Sequence, residues 1–136
     1  MALRQQVELL RKPDGPELVL HTDGNGRLPS DVELGLLRVA QEAIANAMRH
    51  ANARRIEIRL SQNPTQVTLC VQDDGCGFDP RNLADDLQRF GLRGMRERME
   101  ALNGSLEIVS RPGQGTRVSA SVPVSGAEET WNVSAS

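Results

Sequence analysis

The groups in this chain that could do chemistry fall on one helix and three glycine-bearing segments. Asp73-Asp74-Gly75-Cys76-Gly77 offers carboxylates on a turn whose glycines let the backbone pass close to a flat ring. One of those carboxylates can accept the exocyclic amine proton of adenine, which guanine lacks at that position. Glu42 and Asn46 stand one helical turn apart and are followed by Arg49 and His50. The neutral oxygen of Asn46 can ligate Mg2+, a hard ion that keeps waters and shares phosphate oxygens. Glu42 can take a proton from an attacking nucleophile or hold a metal-bound water, and Arg49 can counter phosphate charge. Gly91-Leu92-Arg93-Gly94 is expected to open a helix, where unpaired N–H groups make a prepared anion site. Gly113-Gln114-Gly115-Thr116 reads as a hairpin turn whose hydroxyl can reach a ring-bound water. Each segment alone is equally a polar helix face, a helix start or a solvent-exposed turn. Together they meet the needs of a nucleoside triphosphate.

Other chemistries find no support. Spacing suggests no Ser-His-Asp or Cys-His arrangement, and no Walker phosphate loop occurs. His21 lies in an expected strand and His50 at the end of the long helix, and no acid follows either. No second long helix stands ready to form a bundle around them, so neither reads as a phosphoacceptor, and His50 reads as a packing or hydrogen-bonding residue. Cys70 and Cys76 form no CxxC or His-Cys spacing, which argues for reduced, intracellular thiols.

Composition bounds the rest. With 136 residues, 38% of them apolar and 25% charged, the chain is long enough for one domain with its own core. Phe78, Phe90 and Trp131 are the only aromatics, which disfavours binding by base stacking on aromatic platforms. A net charge of −2 gives no field that attracts nucleic acid or an acidic membrane. The arginines at Arg54-Arg55 and from Arg93 to Arg98 read as solvated faces. No apolar run reaches about 18 residues and the N-terminus lacks a signal-peptide pattern. The expected location is the cytoplasm, which is compatible with a parent protein anchored in the inner membrane.

Several elements must position these groups. Ala2 to Arg11 has Leu3, Val7 and Leu10 at helical spacing and stops at Lys12-Pro13. Glu17 to His21 alternates as a strand before Thr22-Asp23-Gly24-Asn25-Gly26. Ser30 with Glu33 predicts a capping box that starts a helix to about Ala51. At about 100° per residue, Leu36, Leu37, Ala40, Ala43, Ile44, Ala47, Met48 and Ala51 make its apolar stripe. Gly35, Arg38, Glu42, Asn46, Arg49 and His50 fall on the opposite side. Arg55–Leu60 and Gln66–Gln72 predict an antiparallel hairpin turning at Ser61-Gln62-Asn63-Pro64. Phe78 to Phe90 is a polar, irregular stretch that reads as a lid. A helix from Gly91 to about Leu102 is closed by Asn103-Gly104. Leu106–Ser110 and Thr116–Val122 predict a second hairpin. These elements imply an α+β two-layer sandwich, one mixed, about five-stranded sheet with about three helices on one face. The expected divisions are 1–14 as a connecting helix, 15–124 as the domain and 125–136 as a disordered tail.

Gln41 to Ala51 resembles the N box of bacterial sensor histidine kinases, within the gyrase, Hsp90, histidine kinase and MutL-like ATPase superfamily. Asp73-Asp74-Gly75-Cys76-Gly77-Phe78 and Gly91-Leu92-Arg93-Gly94-Met95-Arg96-Glu97-Arg98 resemble its first and second glycine boxes, and Ser110 to Thr116 its closing Gly-x-Gly-Thr element. The resemblance covers about residues 15 to 124, with four motifs in family order. Their wording is most similar to the subgroup that pairs with response regulators carrying a LuxR-type helix-turn-helix. It implies a Bergerat-type ATP-binding fold that transfers the γ-phosphoryl group of ATP, with Mg2+, to a histidine. Asp73 would bind the adenine amine, Asn46 would ligate Mg2+ and Glu42 would assist proton removal. Gly75, Gly77, Leu92, Met95, Gly115 and Thr116 would belong to the nucleotide site with Arg49 and His50. Gly91 and Gly94 would bound the lid.

This chain departs from the pattern in having a short lid stretch, no separate Phe-rich box, and no dimerisation helices with a phosphoaccepting histidine. The implied partner is therefore a phosphoacceptor region of the parent kinase, with this domain itself monomeric. Two other readings remain open, an anti-sigma-factor-type serine kinase and an interaction module that binds nucleotide without transfer.

Overall fold

The computed structural model describes residues 2–24, 27–79, 81 and 86–124. Its helices are α1 (Ala2–Leu10), α2 (Ser30–Asn46) and α3 (Asp86–Ala101), and a π-turn at Ala47–Ala51 continues α2. Its strands are β1 (Glu17–Asp23), β2 (Arg55–Gln62), β3 (Gln66–Asp73), β4 (Ser105–Ser110) and β5 (Thr116–Pro123). They form one sheet in the order β1-β2-β3-β5-β4. The β1–β2 pair is parallel, with α2 in the crossover, and the other pairs are antiparallel. The architecture is the expected α+β sandwich, and both hairpins form. The expected tail (125–136) and residues 80 and 82–85 of the expected lid lie outside the described residues, and residues 86–90 of that stretch are helical.

Strand alternation sends every second residue to the helical side. Ile56, Ile58, Leu60, Val67, Leu69, Val71, Val118, Ala120 and Val122 are buried there. They meet Val39, Ala40, Ala43 and Ile44 of α2, and Met95 and Met99 of α3, in one core. Leu3 and Val7 of α1 join that core, so α1 is packed onto the domain. In the first hairpin, Asn63 Oδ1 accepts the N–H groups of Thr65 (3.0 Å) and Gln66 (2.8 Å), which fixes the turn.

Three local expectations are corrected. No capping box forms: Pro29 is the N-cap, and Ser30 is already helical. The Pro29 carbonyl accepts the Glu33 N–H (2.9 Å), and Asp31 and Glu33 suit the positive helix end. The polar face of α2 is only partly solvated: α3 packs against it at Gly35 and Glu42, while Arg38 and Arg49 stay exposed. Gly35 is buried against Leu102 and Met99, and Asn46 is buried as well. Finally, α3 begins at Asp86, so Gly91 lies inside the helix and offers no helix-start anion site. Leu87, Gln88 and Arg89 are good helix formers, so the helix starts ahead of the glycine. At its other end, α3 closes with Asn103 in the left-handed region (φ 58°). The Asn103 and Gly104 N–H groups return to the carbonyls of Glu100 (3.0 Å) and Met99 (2.7 Å).

Ile44 has no exposed surface and sits where α2 meets the sheet. Ile44→Ala is expected to lower the unfolding free energy by about 2–5 kcal/mol. Urea denaturation checks this, with a lower midpoint and an unchanged slope.

Candidate functional site

Sheet register builds the site. Ile56, Asp73, Thr116 and Ser110 pair in one row across β2, β3, β5 and β4. One inward-facing row further along lie Ile58, Val71, Val118 and Ile108. The helix-facing side of the sheet therefore changes from apolar to polar at one end. A pocket open to solvent lies between that end and α2. It is lined by Ala43, Asn46, Ala47, Val71, Asp73, Gly77, Phe78, Leu92, Thr116 and Val118. Apolar walls with a few convergent polar groups are the usual makeup of a small-molecule site.

The two adjacent acids have different environments. Asp73 is only 8% exposed, and its Oδ1 accepts the Gly75 N–H at 2.8 Å. Burial pushes its pKa up, hydrogen bonds from the Gly75 and Thr116 N–H groups partly offset that, and the Asp74 charge adds to the rise. Asp74 is exposed, and its Oδ1 accepts the N–H groups of Arg55 (3.0 Å) and Arg54 (2.9 Å). Those bonds hold its carboxyl below the usual range. Asp73 thus faces the pocket, while Asp74 ties the end of β3 to the start of β2.

Two glycines allow the loops behind Asp73 to close. Gly77 (φ 67°) approaches the chain so closely that a Cβ would stand 2.1 Å from the Arg111 carbonyl oxygen. At Gly115 (φ 77°) a Cβ would stand 2.3 Å from the Asp73 carbonyl oxygen. Both positions are closed to side chains by conformation and by space.

On the helical wall, Asn46 is 8% exposed, and Arg49 Nη2 donates to its Oδ1 at 2.6 Å. The same nitrogen lies 3.5 Å from Glu42 Oε2. One guanidinium therefore links the three α2 groups singled out in the sequence. Glu42 also packs against α3, where a Cβ at Gly91 would stand 2.4 Å from Glu42 Oε2. The π-turn follows Asn46 immediately and ends at Asn52 in the left-handed region (φ 50°); such turns recur at functional sites.

Of the expected site residues, Asn46, Asp73, Gly77, Leu92 and Thr116 line the pocket. Gly75 and Gly115 back Asp73, while Glu42 and Arg49 adjoin Asn46. Met95 is buried in the core and does not line the pocket. Gly94 is inside α3, with nothing within 4 Å of a Cβ placed there, so packing does not require a glycine. The His50 backbone belongs to the π-turn, and its side chain lies outside the described residues. Phe78, the first residue of the expected lid stretch, lines the pocket. Sequence reading missed the apolar walls, although Val71 and Val118 stand two residues from Asp73 and Thr116 on the same strand faces. It also missed Ser110, a buried hydroxyl in the row of Asp73 and Thr116.

The donor set suits a nucleotide better than a resident metal. Among the described residues no group of three or more His, Cys, Asp or Glu could hold a metal ion. A cation at Asn46 would draw its other oxygens from a ligand and from water. Among the same residues no helix is long and apolar enough to cross a membrane.

Residues 31–126 match the family of histidine kinase-, DNA gyrase B- and HSP90-like ATPases. The chain belongs to this ATPase family. It is 35% identical over 108 residues to the signal transduction histidine-protein kinase/phosphatase DegS of Brevibacillus brevis, covering 79% of this chain and 28% of that protein. It is 36% identical over 110 residues to the sensor protein VraS of Staphylococcus haemolyticus, covering 80% of this chain and 31% of that protein. The chain thus spans less than a third of the length of these relatives. Two structures of a blue-light activated histidine kinase from Erythrobacter litoralis EL346 share the fold. Its histidine kinase domain superposes with a TM-score of 0.59 at 20% identity, over 86% of this chain and 55% of that one. The longer structure gives a TM-score of 0.70 at 19% identity, over 96% of this chain and 41% of that one. As a member of this ATPase family, the domain is an ATP-binding one.

The raised pKa of Asp73 makes a stability prediction. Between the ordinary value of 3.8 and its folded value, Asp73 keeps a proton that the unfolded chain has released. Its stabilising contribution is therefore present at low pH and lost as pH rises through the folded value. Asp73→Asn removes that loss. The unliganded variant is expected to melt above the wild type at neutral pH, with the difference shrinking toward pH 3.8 in a thermal-melt series.

Proposed function

We propose that this domain binds ATP in the Asp73 pocket and transfers its γ-phosphoryl group to a histidine on a separate phosphoacceptor region of a larger sensor kinase. The observation that carries the reading is one buried carboxylate in a mostly apolar pocket, with Asn46, Arg49 and Glu42 joined at its edge. ATP, when bound, supplies the phosphoryl group, and Mg2+ supplies neutralisation of phosphate charge.

Asp73 accepts the exocyclic amine of the base, and the two N–H groups on its carboxylate keep it oriented. Ala43, Ala47, Val71 and Val118 exclude water from the ring faces. Asn46 would hold the metal through its Oδ1, and Arg49, which now donates to that oxygen, would counter phosphate charge. Glu42 accepts the proton of the attacking histidine, a role that contributes typically 10²–10⁴-fold. Positioning and charge neutralisation do most of the remaining work.

The match to a signal transduction histidine-protein kinase supports a response regulator as the downstream partner, and the wording of the motifs is what favours one of the LuxR type. In this reading residues 1–14 connect to the phosphoacceptor region, residues 15–124 are the catalytic unit and residues 125–136 are a tail. The domain itself is monomeric and acts in the cytoplasm, a reading compatible with a parent protein anchored in the inner membrane.

Glu42→Gln is expected to bind Mg-ATP within about twofold of the wild type by calorimetry. Its transfer to a histidine-bearing helical region supplied in trans is expected to fall by about 10²–10⁴-fold. Wild-type protein that binds no Mg-ATP overturns the proposal. Binding followed by phosphorylation of a serine on an anti-sigma-type partner replaces the histidine acceptor with a serine one.

A further inference from the structure

The Ser110 hydroxyl does not line the pocket, yet it is buried and fully engaged. The Phe78 N–H donates to its Oγ at 2.8 Å. Its own proton goes to the Gly115 carbonyl at 3.2 Å. A third contact, at 2.7 Å, joins it to Thr116 Oγ1. A hydroxyl has one proton and two acceptor lone pairs. Either hydroxyl could donate in the Ser110–Thr116 contact taken alone, but all three contacts are met together only when the Ser110 proton goes to the Gly115 carbonyl and Thr116 donates to the remaining lone pair. The Thr116 oxygen is then left as an acceptor beside the pocket it lines.

Asp73 completes the pattern. Its carboxylate takes the N–H groups of Gly75 and Thr116 and is itself acceptor-only when ionised. The polar end of the pocket thus shows acceptors from two neighbouring strands, paired Asp73 to Thr116 across β3 and β5. Such an edge favours a base whose facing group donates, as the amine of adenine does. It leaves oxygen facing oxygen for a base with a carbonyl there, as in guanine.

We propose that Ser110 is a specificity-determining positioning residue, which sets the Thr116 hydroxyl as an acceptor and so sharpens selection of adenine over guanine nucleotides. Without the Ser110 oxygen, the Thr116 proton is free to turn toward the pocket and serve a guanine carbonyl. The inference rests on the ATP reading above and extends it to a residue outside the ligand contacts.

The test measures ATP and GTP dissociation constants by calorimetry on the wild type, Ser110→Ala, Ser110→Thr and Thr116→Val. The ATP-over-GTP ratio is expected to fall about tenfold in Ser110→Ala, the scale of one hydrogen bond of discrimination. Ser110→Thr keeps the hydroxyl and retains the ratio. Thr116→Val loses the ratio as Ser110→Ala does, and the double variant loses no more than either. A uniform weakening of both nucleotides in Ser110→Ala, with the ratio intact, marks a merely structural role and overturns the assignment. If Ser110→Ala does not fold, an unchanged ratio in Thr116→Val overturns it instead. Wild-type protein that binds neither nucleotide overturns the ATP reading, and this assignment with it.

Discussion

The register between β3 and β5 is the constraint on which the site depends. By setting Asp73 opposite Thr116, it places a carboxylate, an N–H donor for that carboxylate and a hydroxyl on one inward-facing row. A slip of one residue would send all of them to the opposite face of the sheet and bring Gln72 and Arg117 inward. The apolar row beside them opposes such a slip, since Val71 and Val118 would leave the core together. The hydrophobic effect that folds the sheet thus also fixes the polar end of the pocket.

The glycine loops and the helices follow from that row. Gly77 and Gly115 bring two turns onto the backbone around Asp73, where no side chain fits. Burying a carboxylate is unfavourable unless its hydrogen bonds are met, and these turns supply the N–H of Gly75 beside that of Thr116. The remaining cost is held in the raised pKa of Asp73. On the other wall, α3 packs against α2 at Gly35 and Glu42, and Asn46 is buried without losing its partner, Arg49.

Much of this was legible in the residues. Period-two alternation gave both hairpins, and the apolar stripe of α2 gave the face it turns to the sheet. Asp73, Asn46 and Thr116 stood out by type and spacing, and all three line the pocket. What was not legible depends on contacts between distant segments. Amphipathic arithmetic on α2 alone cannot show that a second helix packs against part of its polar side. A glycine at 91 reads as a helix start until its close approach to Glu42 is known. Ser110 looks like any strand-ending serine until β4 is paired with β5, which sets it opposite Thr116. Pro29 displaces Ser30 from the cap, a choice made by local backbone geometry that residue type does not reveal.

The contact between Gly91 and Glu42 has a mechanical consequence. The carboxylate occupies the volume that a side chain on α3 would otherwise fill, so the room available to Glu42 is set by where that helix lies. Helix and carboxylate cannot be repositioned independently: drawing α3 away opens space beside Glu42, and pressing it closer expels the carboxylate toward Arg49. A displacement of α3 at Gly91 is thereby converted into a change in the Glu42–Arg49 separation, without any residue of α3 needing a charge of its own at that contact.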